Sequence, residues 1–347
     1  MMVRKDGGSS GARVGGIAIG ALLLLRTAAG AAPYQVSAWS LGDATSLTAA
    51  TDRGALDEIS VDWYVSEANS SVGAGGEDLT LVSTAHSLGV RVLATVADVS
   101  LRSGRFTAGI SHRILGRPTR IAQHVQAIVD LCTSKGYDGA DIDWEAVRPH
   151  DKDKLTAFIT QLADGLHAQG KILSMAIAAK DSEPGDWSAP QSEDYAALGA
   201  AVDEFKVMTY DYSGSWSPPG PIAPLYWMDA VLTHAESLAP PAKIMMGVPF
   251  YGYDWLGHRT TDVLWSDAQG LISTYGPAVT HDASDEATFT YTDGRGRFHT
   301  VYFQDRTALA AKLQLLRTNH PAIRGIAIWV MGGEDPAFWD EIQSQLH

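Results

Sequence analysis

Residues 137–145 read Tyr137-Asp138-Gly139-Ala140-Asp141-Ile142-Asp143-Trp144-Glu145, with four carboxylates in nine positions. Asp141, Asp143 and Glu145 alternate, so in a β-strand they share one face at roughly 6–7 Å per step. The two apolar residues between them then point toward a buried layer. A row of acids on one strand face is unfavourable unless that face is solvated, paired or catalytic. The spacing therefore requires an explanation.

Three explanations fit a row of alternating acids. The acids can form the solvent-exposed face of an edge strand, or they can supply oxygen ligands to calcium or magnesium. They can also be catalytic, since carboxylates held close together have their pKa values pushed apart. The row follows a helix-like run that ends at Gly136, and it lies at the C-terminal end of the predicted strand. In a parallel barrel that end carries the chemistry.

The motif Asp138-x-x-Asp141-x-Asp143-x-Glu145 resembles the D-x-x-D-x-D-x-E signature of glycoside hydrolase family 18, the chitinase-like (β/α)8 hydrolases. All four acidic positions of that signature are present. The resemblance implies a (β/α)8 barrel and an enzyme that hydrolyses glycosidic bonds.

The rest of the chain alternates short apolar runs with segments of helical period, which predicts parallel βα units. At 347 residues the chain is long enough for one barrel with an insertion. We therefore predict an α/β fold, a (β/α)8 TIM barrel over residues 32–347. Its eight strands are predicted at 34–39, 56–64, 90–96, 137–145, 171–179, 203–211, 243–251 and 323–331.

One region, about 256–305, breaks this rhythm after the seventh strand. It contains the strand-like runs Thr288–Thr292 and His299–Phe303, with the turn Asp293-Gly294-Arg295-Gly296 between them. We predict a small antiparallel β-containing insertion beside the mouth of the barrel. Members of the resembled family often carry an insertion at this place.

Residues 1–31 have the pattern of a secretory signal peptide. Arg4, Lys5 and Arg13 precede the apolar run Val14–Leu25, and small residues follow at 28–32. This run is too short to span a bilayer but suits a signal peptide. We expect a secreted or cell-envelope protein, with an uncleaved N-terminal anchor as the alternative.

Composition and motifs exclude several other classes of protein. The net charge of −14 argues against nucleic acid as a partner, because phosphates would be repelled. Cys132 is the single cysteine, so no internal disulfide and no multi-thiolate zinc site can form. The histidines show no metal-binding spacing, and neither a P-loop nor a G-x-S-x-G motif occurs. We expect no cofactor, no metal and no protein partner, and a monomeric chain.

The resemblance assigns roles to the acids. Glu145 would be the general acid and then the general base, because a glycosidic oxygen must be protonated as its bond breaks. Asp143 would orient the substrate's 2-acetamido group, which acts as the nucleophile and forms an oxazolinium ion. Asp141 would lie deeper and share protons with Asp143. Asp138 begins the strand, and we expect it to be mainly structural.

Further site residues come from the same resemblance. Met208-Thr209-Tyr210-Asp211 matches the family's M-x-Y-D motif, so Tyr210 would bond the acetamido carbonyl and Asp211, with Met208, would line the cleavage site. Trp329 on strand 8 would form the floor of a sugar subsite. Aromatic rings at strand ends also suit the apolar faces of sugars. The candidates of this kind are Tyr251, Trp255, Trp39, Trp63 and Trp216.

The resemblance to chitinases is weaker on strand 3 than on strand 4. Chitinases carry S-x-G-G on strand 3, whereas this chain has Ala94-Thr95-Val96-Ala97-Asp98. The run from Met246 to Trp255 is more similar to bacterial spore-germination and cortex-lytic N-acetylglucosaminidases, which act on peptidoglycan. We therefore expect a retaining hydrolase of β-1,4-linked N-acetylglucosamine glycans, chitin or peptidoglycan. The alternatives are a non-catalytic lectin on the same barrel and an endo-β-N-acetylglucosaminidase acting on N-glycans.

Overall fold

The computed structural model describes residues 34–347, and the predicted signal peptide at 1–31 lies outside that range. The strands are β1 (Gln35–Ser40), β2 (Glu58–Ser66), β3 (Val72–Ala74), β4 (Arg91–Ala97), β5 (Val99–Ser100), β6 (Arg105–Phe106), β7 (Gly139–Asp143), β8 (Ile172–Ala178), β9 (Glu204–Met208), β10 (Ile244–Pro249), β11 (Tyr251–Leu256), β12 (Arg259–Leu264), β13 (Thr280–His281), β14 (Ala287–Thr292), β15 (Phe298–Phe303) and β16 (Gly325–Met331). The helices are α1 (Ala44–Thr51), α2 (Leu79–Ser87), α3 (Ala108–Leu115), α4 (Pro118–Lys135), α5 (Lys152–His167), α6 (Ser188–Ser192), α7 (Tyr195–Ala201), α8 (Leu225–Leu238), α9 (Trp265–Tyr275), α10 (Arg306–Asn319) and α11 (Phe338–Leu346).

Eight parallel strands close into a barrel. Their order is β1, β16, β10, β9, β8, β7, β4 and β2, and β2 pairs with β1 to complete the circle. Helices follow the strands along the chain and bury their apolar stripes against the barrel; in α5 this stripe includes Leu155, Phe158 and Leu162. The predicted (β/α)8 TIM barrel is confirmed.

The segment that leads into the acidic motif is built from local signals. Pro118 lies in the first turn of α4, where its missing N–H costs nothing. Gly136 ends the helix in the left-handed conformation at φ 78°, and its N–H bonds to Cys132 O. Strand β7 starts three residues later at Gly139, where a Cβ atom would collide with the backbone of Ile172. Helix end and strand start together fix which face of β7 carries the acids.

Two of the predicted strands are shorter in the structure. Strand β7 ends at Asp143, so Glu145 lies in the loop just beyond the barrel rim. Strand β9 ends at Met208, and Asp211 adopts a left-handed backbone at φ 62°. The alternation of apolar and polar residues continues beyond the last hydrogen bonds between strands. The sequence pattern alone therefore overestimates the length of both strands.

The insertion after β10 is an antiparallel sheet with strand order β12, β11, β15, β14, β13, to which α9 adds a helix. It begins at Tyr251, five positions before the predicted start at 256, because β11 follows β10 after a single residue. It has its own apolar cluster, which includes Val263, Phe289 and Val301. The insertion is therefore a separately packed layer.

Within residues 34–347, none of the helices combines the length and apolar character needed to cross a bilayer.

Candidate active site

A cavity of about 530 Å³ opens at the C-terminal end of the barrel strands. Strands β8 and β9 end at its wall with Ala178 and Met208. The residues that line it are Glu145, Ala178, Ala179, Trp187, Met208, Tyr210, Asp211, Trp216 and Trp227. The structure thus brings the end of the acidic motif and the Met208–Asp211 segment to one cavity.

A second, more open depression of about 600 Å³ lies over the ends of β1, β2 and β4. Its lining includes Asp62 and Trp63 from β2, together with Glu77 and Asp78. Trp63, one of the predicted sugar-contact residues, lies here and not in the first cavity.

Asp143 is the last residue of β7 and is buried, and its Oδ1 atom has no hydrogen-bond partner among the described residues. Burial raises its pKa well above the usual range, and the negative charges of Glu145, Asp62, Asp141 and Asp98 raise it further. Burial and these neighbouring charges therefore favour the protonated form of Asp143, and its Oδ1 atom is left without a hydrogen bond from the described residues.

Glu145 follows Asp143 by two residues and lines the first cavity. Burial raises its pKa to about 8, with further contributions from Asp211, Asp98 and Asp62. A carboxyl group with such a pKa remains protonated at neutral pH and can donate its proton to a leaving group.

Asp141 lies one step deeper on the same face and is fully buried. Its Oδ2 accepts hydrogen bonds from Trp39 Nε1 at 2.7 Å and from Thr95 Oγ1 at 3.2 Å. Thr95 is the register partner of Asp141 on β4, so the departure from S-x-G-G on this strand still supplies a hydroxyl donor.

Asp211 and the tyrosines around it form the other wall. Tyr251 and Tyr253 both donate their hydroxyl groups to Asp211 Oδ1, the second at 2.8 Å. Burial raises the pKa of Asp211, and these two hydrogen bonds partly offset the rise. The Tyr210 ring lies 6.2 Å from the Tyr251 ring in an edge-to-face arrangement.

Comparison with known families matches residues 65–334 to "Glycosyl hydrolases family 18". The chain belongs to glycosyl hydrolase family 18. The matched range holds Glu145, Asp143, Asp141 and the segment Met208–Asp211.

Individual relatives of this family 18 hydrolase agree with that assignment. The glycosylase YdhD of Bacillus subtilis (strain 168) is 32% identical over 288 residues, which are 81% of this chain and 67% of that protein. The cortical fragment-lytic enzyme of the same organism is 28% identical over 257 residues, 72% of this chain and 59% of that protein. A chitinase structure from Chromobacterium violaceum ATCC 12472 is 30% identical with a TM-score of 0.83, covering 90% of this chain and 99% of that one. The chain is therefore a glycoside hydrolase, and the predicted likeness to both chitinases and cortex-lytic enzymes is confirmed.

Two aromatic residues predicted to bind substrate in this family 18 hydrolase are instead buried. Trp255 is 1% exposed and donates its indole N–H to Gly214 O at 3.1 Å, so it holds the loop after β9. Trp39 is 2% exposed and uses its indole N–H on Asp141. Sequence alone does not show which indole is covered by later segments, and sugar contact by either residue stays a prediction.

The other predicted aromatic residues have different environments. Trp216 lines the cavity and is 64% exposed. Trp329 is partly buried on β16, with its ring 5.8 Å from the Trp39 ring. Tyr251 is buried and reaches the site through its hydroxyl bond to Asp211.

Asp138 lies at the opposite end of β7 from the cavity. Its Oδ2 accepts hydrogen bonds from the Val92 backbone N–H at 2.8 Å and shares one with His86 Nε2 at 2.9 Å. These contacts tie β7 to its neighbours, which is the structural role expected for it.

Four residues that line these cavities or lie near Glu145 were not identified from the sequence: Trp187, Trp227, Asp62 and Asp98. Asp98 directly follows β4 and accepts a hydrogen bond from the Ala146 N–H at 3.4 Å. Its position at a strand's C-terminal end was a usable signal. Trp187 lies in the loop after β8, where no periodic pattern distinguishes a cavity wall from a solvent-exposed loop.

One group of described residues, His112, His150 and Asp151, brings three potential metal ligands close together. Lys154 Nζ already lies 2.7 Å from Asp151 Oδ1, and His112 Nδ1 lies 2.6 Å from Asp151 Oδ2. Since both carboxylate oxygens have partners and a lysine supplies the positive charge, we assign this group to holding α3 against the loop after β7.

Proposed function

We propose that this family 18 hydrolase cleaves β-1,4-linked N-acetylglucosamine glycans with net retention, using the substrate's own acetamido group as the nucleophile. The observation that carries the proposal is the buried carboxyl group of Asp143, whose Oδ1 atom has no hydrogen-bond partner among the described residues. A protonated, buried carboxyl is a poor nucleophile, but its free Oδ1 can hold an acetamido N–H beside Glu145.

The bond changes follow from these positions. Glu145 donates its proton to the glycosidic oxygen while the acetamido carbonyl oxygen attacks C1, and the C1–O bond to the leaving sugar breaks. The product of this step is an oxazolinium ion. Glu145, now ionised, takes a proton from water as that water attacks C1, and the ring opens to restore the acetamido group. Two inversions at C1 give net retention.

Three further groups complete this reaction scheme. Asp143 accepts a hydrogen bond from the acetamido N–H and so orients the acetamido group while the oxazolinium ion forms. The Tyr210 hydroxyl, in the cavity wall, is available to the acetamido carbonyl oxygen. Asp211 is held in place by Tyr251 and Tyr253 and is available to a sugar hydroxyl.

The substrate class is supported by what the chain resembles. One relative is a cortical fragment-lytic enzyme and one structural neighbour is a chitinase. We infer that chitin or peptidoglycan, both containing N-acetylglucosamine, is the polymer cleaved. A protonated Glu145 in the cavity favours hydrolysis over a lectin that only binds. N-glycans with a chitobiose core contain the same sugar linkage and remain the alternative substrate.

The experiment offers the protein chitohexaose and, separately, purified peptidoglycan, and identifies the products by mass spectrometry. We expect short N-acetylglucosamine oligomers or muropeptides with N-acetylglucosamine at the new reducing end. Early NMR spectra of the oligosaccharide products should show the β-anomer first. Glu145→Gln is the control without a proton donor. Tight binding of oligosaccharide without any product would overturn the proposal in favour of the lectin.

We also propose that residues 1–31 direct export and that the hydrolase acts outside the cytoplasm as a monomer. Expression in a bacterial host with and without residues 1–31 tests the first point. The processed N-terminus should appear in the culture medium or cell envelope only for the full chain. Light scattering of the purified protein tests the second.

A further inference from the structure

Lys206 is a fully buried lysine on β9 inside the barrel. Its Nζ atom lies 2.9 Å from Ser60 Oγ and 3.1 Å from Glu58 Oε1. A lysine is almost never buried unless it is paired, so these contacts require explanation.

The same ammonium group faces the acidic motif from below. Lys206 Nζ lies 3.7 Å from Asp141 Oδ1, an oxygen with no hydrogen-bond partner among the described residues. It also lies 5.3 Å from the centre of the Trp39 ring, in cation–π range. Trp39 in turn bonds the other oxygen of Asp141. Lys206 therefore contacts Asp141 directly and also contacts the indole that orients it.

The other charged groups around Lys206 lie at the base of the barrel. Glu204 Oε2 is 3.7 Å from Lys206 Nζ, and Glu58 completes the acidic pair there. Arg91 lies 3.0 Å from Glu58 and 3.1 Å from Glu204, and Arg324 lies 3.5 Å from Glu204. The basal acids thus have arginines of their own.

Among the described residues, Lys206 is the cation within ion-pair distance of Asp141. Burial alone would lower the pKa of Lys206, but Asp141, Glu58 and Glu204 raise it above its ordinary value. Lys206 is therefore charged, and its positive charge is shared between the base of the barrel and the acidic motif.

On the other side, Asp141 faces carboxyl groups. Asp143 is its neighbour along the strand, and the negative charge of Asp141 raises the pKa of both Asp143 and Asp62. If Asp141 carries the negative charge, the proton of this set stays on Asp143, where the reaction uses it.

We propose that Lys206 is a positioning residue: its buried ammonium keeps Asp141 ionised beneath Asp143 and holds Trp39 in place, so that Asp143 enters the reaction protonated. The proposal rests on the proposed function, since it concerns the same acids. Without the ammonium, the positive charge that lies 3.7 Å from Asp141 Oδ1 is lost, and a buried negative charge on Asp141 is no longer compensated. Asp143 then loses the negative neighbour that keeps its proton in place.

The test is Lys206→Met, with kcat and kcat/KM for chitohexaose measured between pH 4 and 9. We expect the acidic limb of the pH profile to move upward by about one unit or more. The matched control is Lys312→Met, which removes another fully buried lysine, 3.0 Å from Glu286 and away from the acidic motif. Both variants should lose stability, but only Lys206→Met should shift the acidic limb. An unchanged limb in folded Lys206→Met would overturn the proposal.

A second readout does not depend on turnover. In protein labelled with ¹³C-aspartate, the carboxyl signal absent from Asp141→Asn identifies Asp141. We expect this signal to show the ionised form down to lower pH in the unmodified protein than in the variant. The same titration in both proteins would contradict the proposal. If the unmodified protein cleaves neither glycan, the proposed function fails, while the NMR titration still decides the role of Lys206. If Lys206→Met does not fold, Lys206→Gln retains hydrogen bonding to Ser60 and Glu58 without the charge.

Discussion

The indole N–H of Trp39 donates a 2.7 Å hydrogen bond to Asp141 Oδ2, between residues 102 positions apart in the chain. Trp39 lies on β1 and Asp141 on β7, on different sides of the barrel interior. The bond therefore forms only once the barrel has closed. It connects an aromatic residue, predicted to bind sugar, to the deepest acid of the motif.

Replacing Trp39 by Phe should lower kcat by about 10-fold, because the lost hydrogen bond no longer fixes Asp141 beneath Asp143. The free energy of unfolding should fall by about 1–2 kcal/mol. Trp339→Phe is the control. Trp339 is a buried residue of α11, and its indole N–H donates a hydrogen bond to Glu334 at 2.9 Å. It should lose similar stability while kcat stays near its original value. Equal losses of kcat in the two variants would contradict a specific role for Trp39.

Glu145→Gln should reduce hydrolysis by about 10²- to 10⁴-fold while oligosaccharide binding persists, since the side chain keeps its shape but loses its proton. In the unmodified enzyme kcat/KM should fall as pH rises through about 8, where Glu145 ionises. Asp138→Asn, at the other end of the same strand, should leave both kcat and this limb in place. A profile flat to pH 10 would exclude Glu145 as the acid.

The substitution Glu145→Gln should also stabilise the fold at neutral pH. The pKa of Glu145 is raised to about 8 in the folded chain, against roughly 4.3 in the unfolded chain. The cost of its burial is therefore absent below about pH 4 and grows as pH rises toward 8. Glu145→Gln removes this cost, and we expect about 1–2 kcal/mol of added stability at pH 7. Denaturant unfolding at pH 4 and pH 7 checks the sign, because the gain should vanish at the lower pH.

Trp216→Ala should raise KM for chitohexaose by about 5- to 10-fold, because the ring is an exposed wall of the cavity. Thermal stability should change little, since 64% of the side chain is already in water. Tyr226→Ala removes another exposed ring, one that lies outside the cavity lining, and should leave KM unchanged. A lower melting temperature without a change in KM would make Trp216 a packing residue.

Gly247→Ala should destabilise the barrel by about 1–3 kcal/mol and lower kcat. A Cβ atom there would lie 2.5 Å from Val207 O and 2.9 Å from the Tyr210 ring. Gly270→Ala is the control, because a Cβ in that helix meets nothing within 4 Å. It should be neutral or stabilising by about 0.5–1 kcal/mol. Differential scanning calorimetry together with activity separates the two cases.

The fold could be predicted because its signals are local. Short apolar runs between segments of helical period identified the eight strands, and the helical stripe from Pro118 to Gly136 fixed the entry to β7. The acids of the motif follow from the same rule, since residues two apart on one strand share a face. Even the insertion was visible as a break in the βα rhythm.

The environment of those acids depended on contacts far apart in sequence. That Lys206 faces Asp141, that Trp255 is covered and that Trp187 lines the cavity all follow from how the strands close and how the loops fold over the rim. A strand's own sequence sets which face a side chain occupies. Which groups meet it across the barrel is set by register and closure, and these determine the burial and charge that shift the pKa of Glu145.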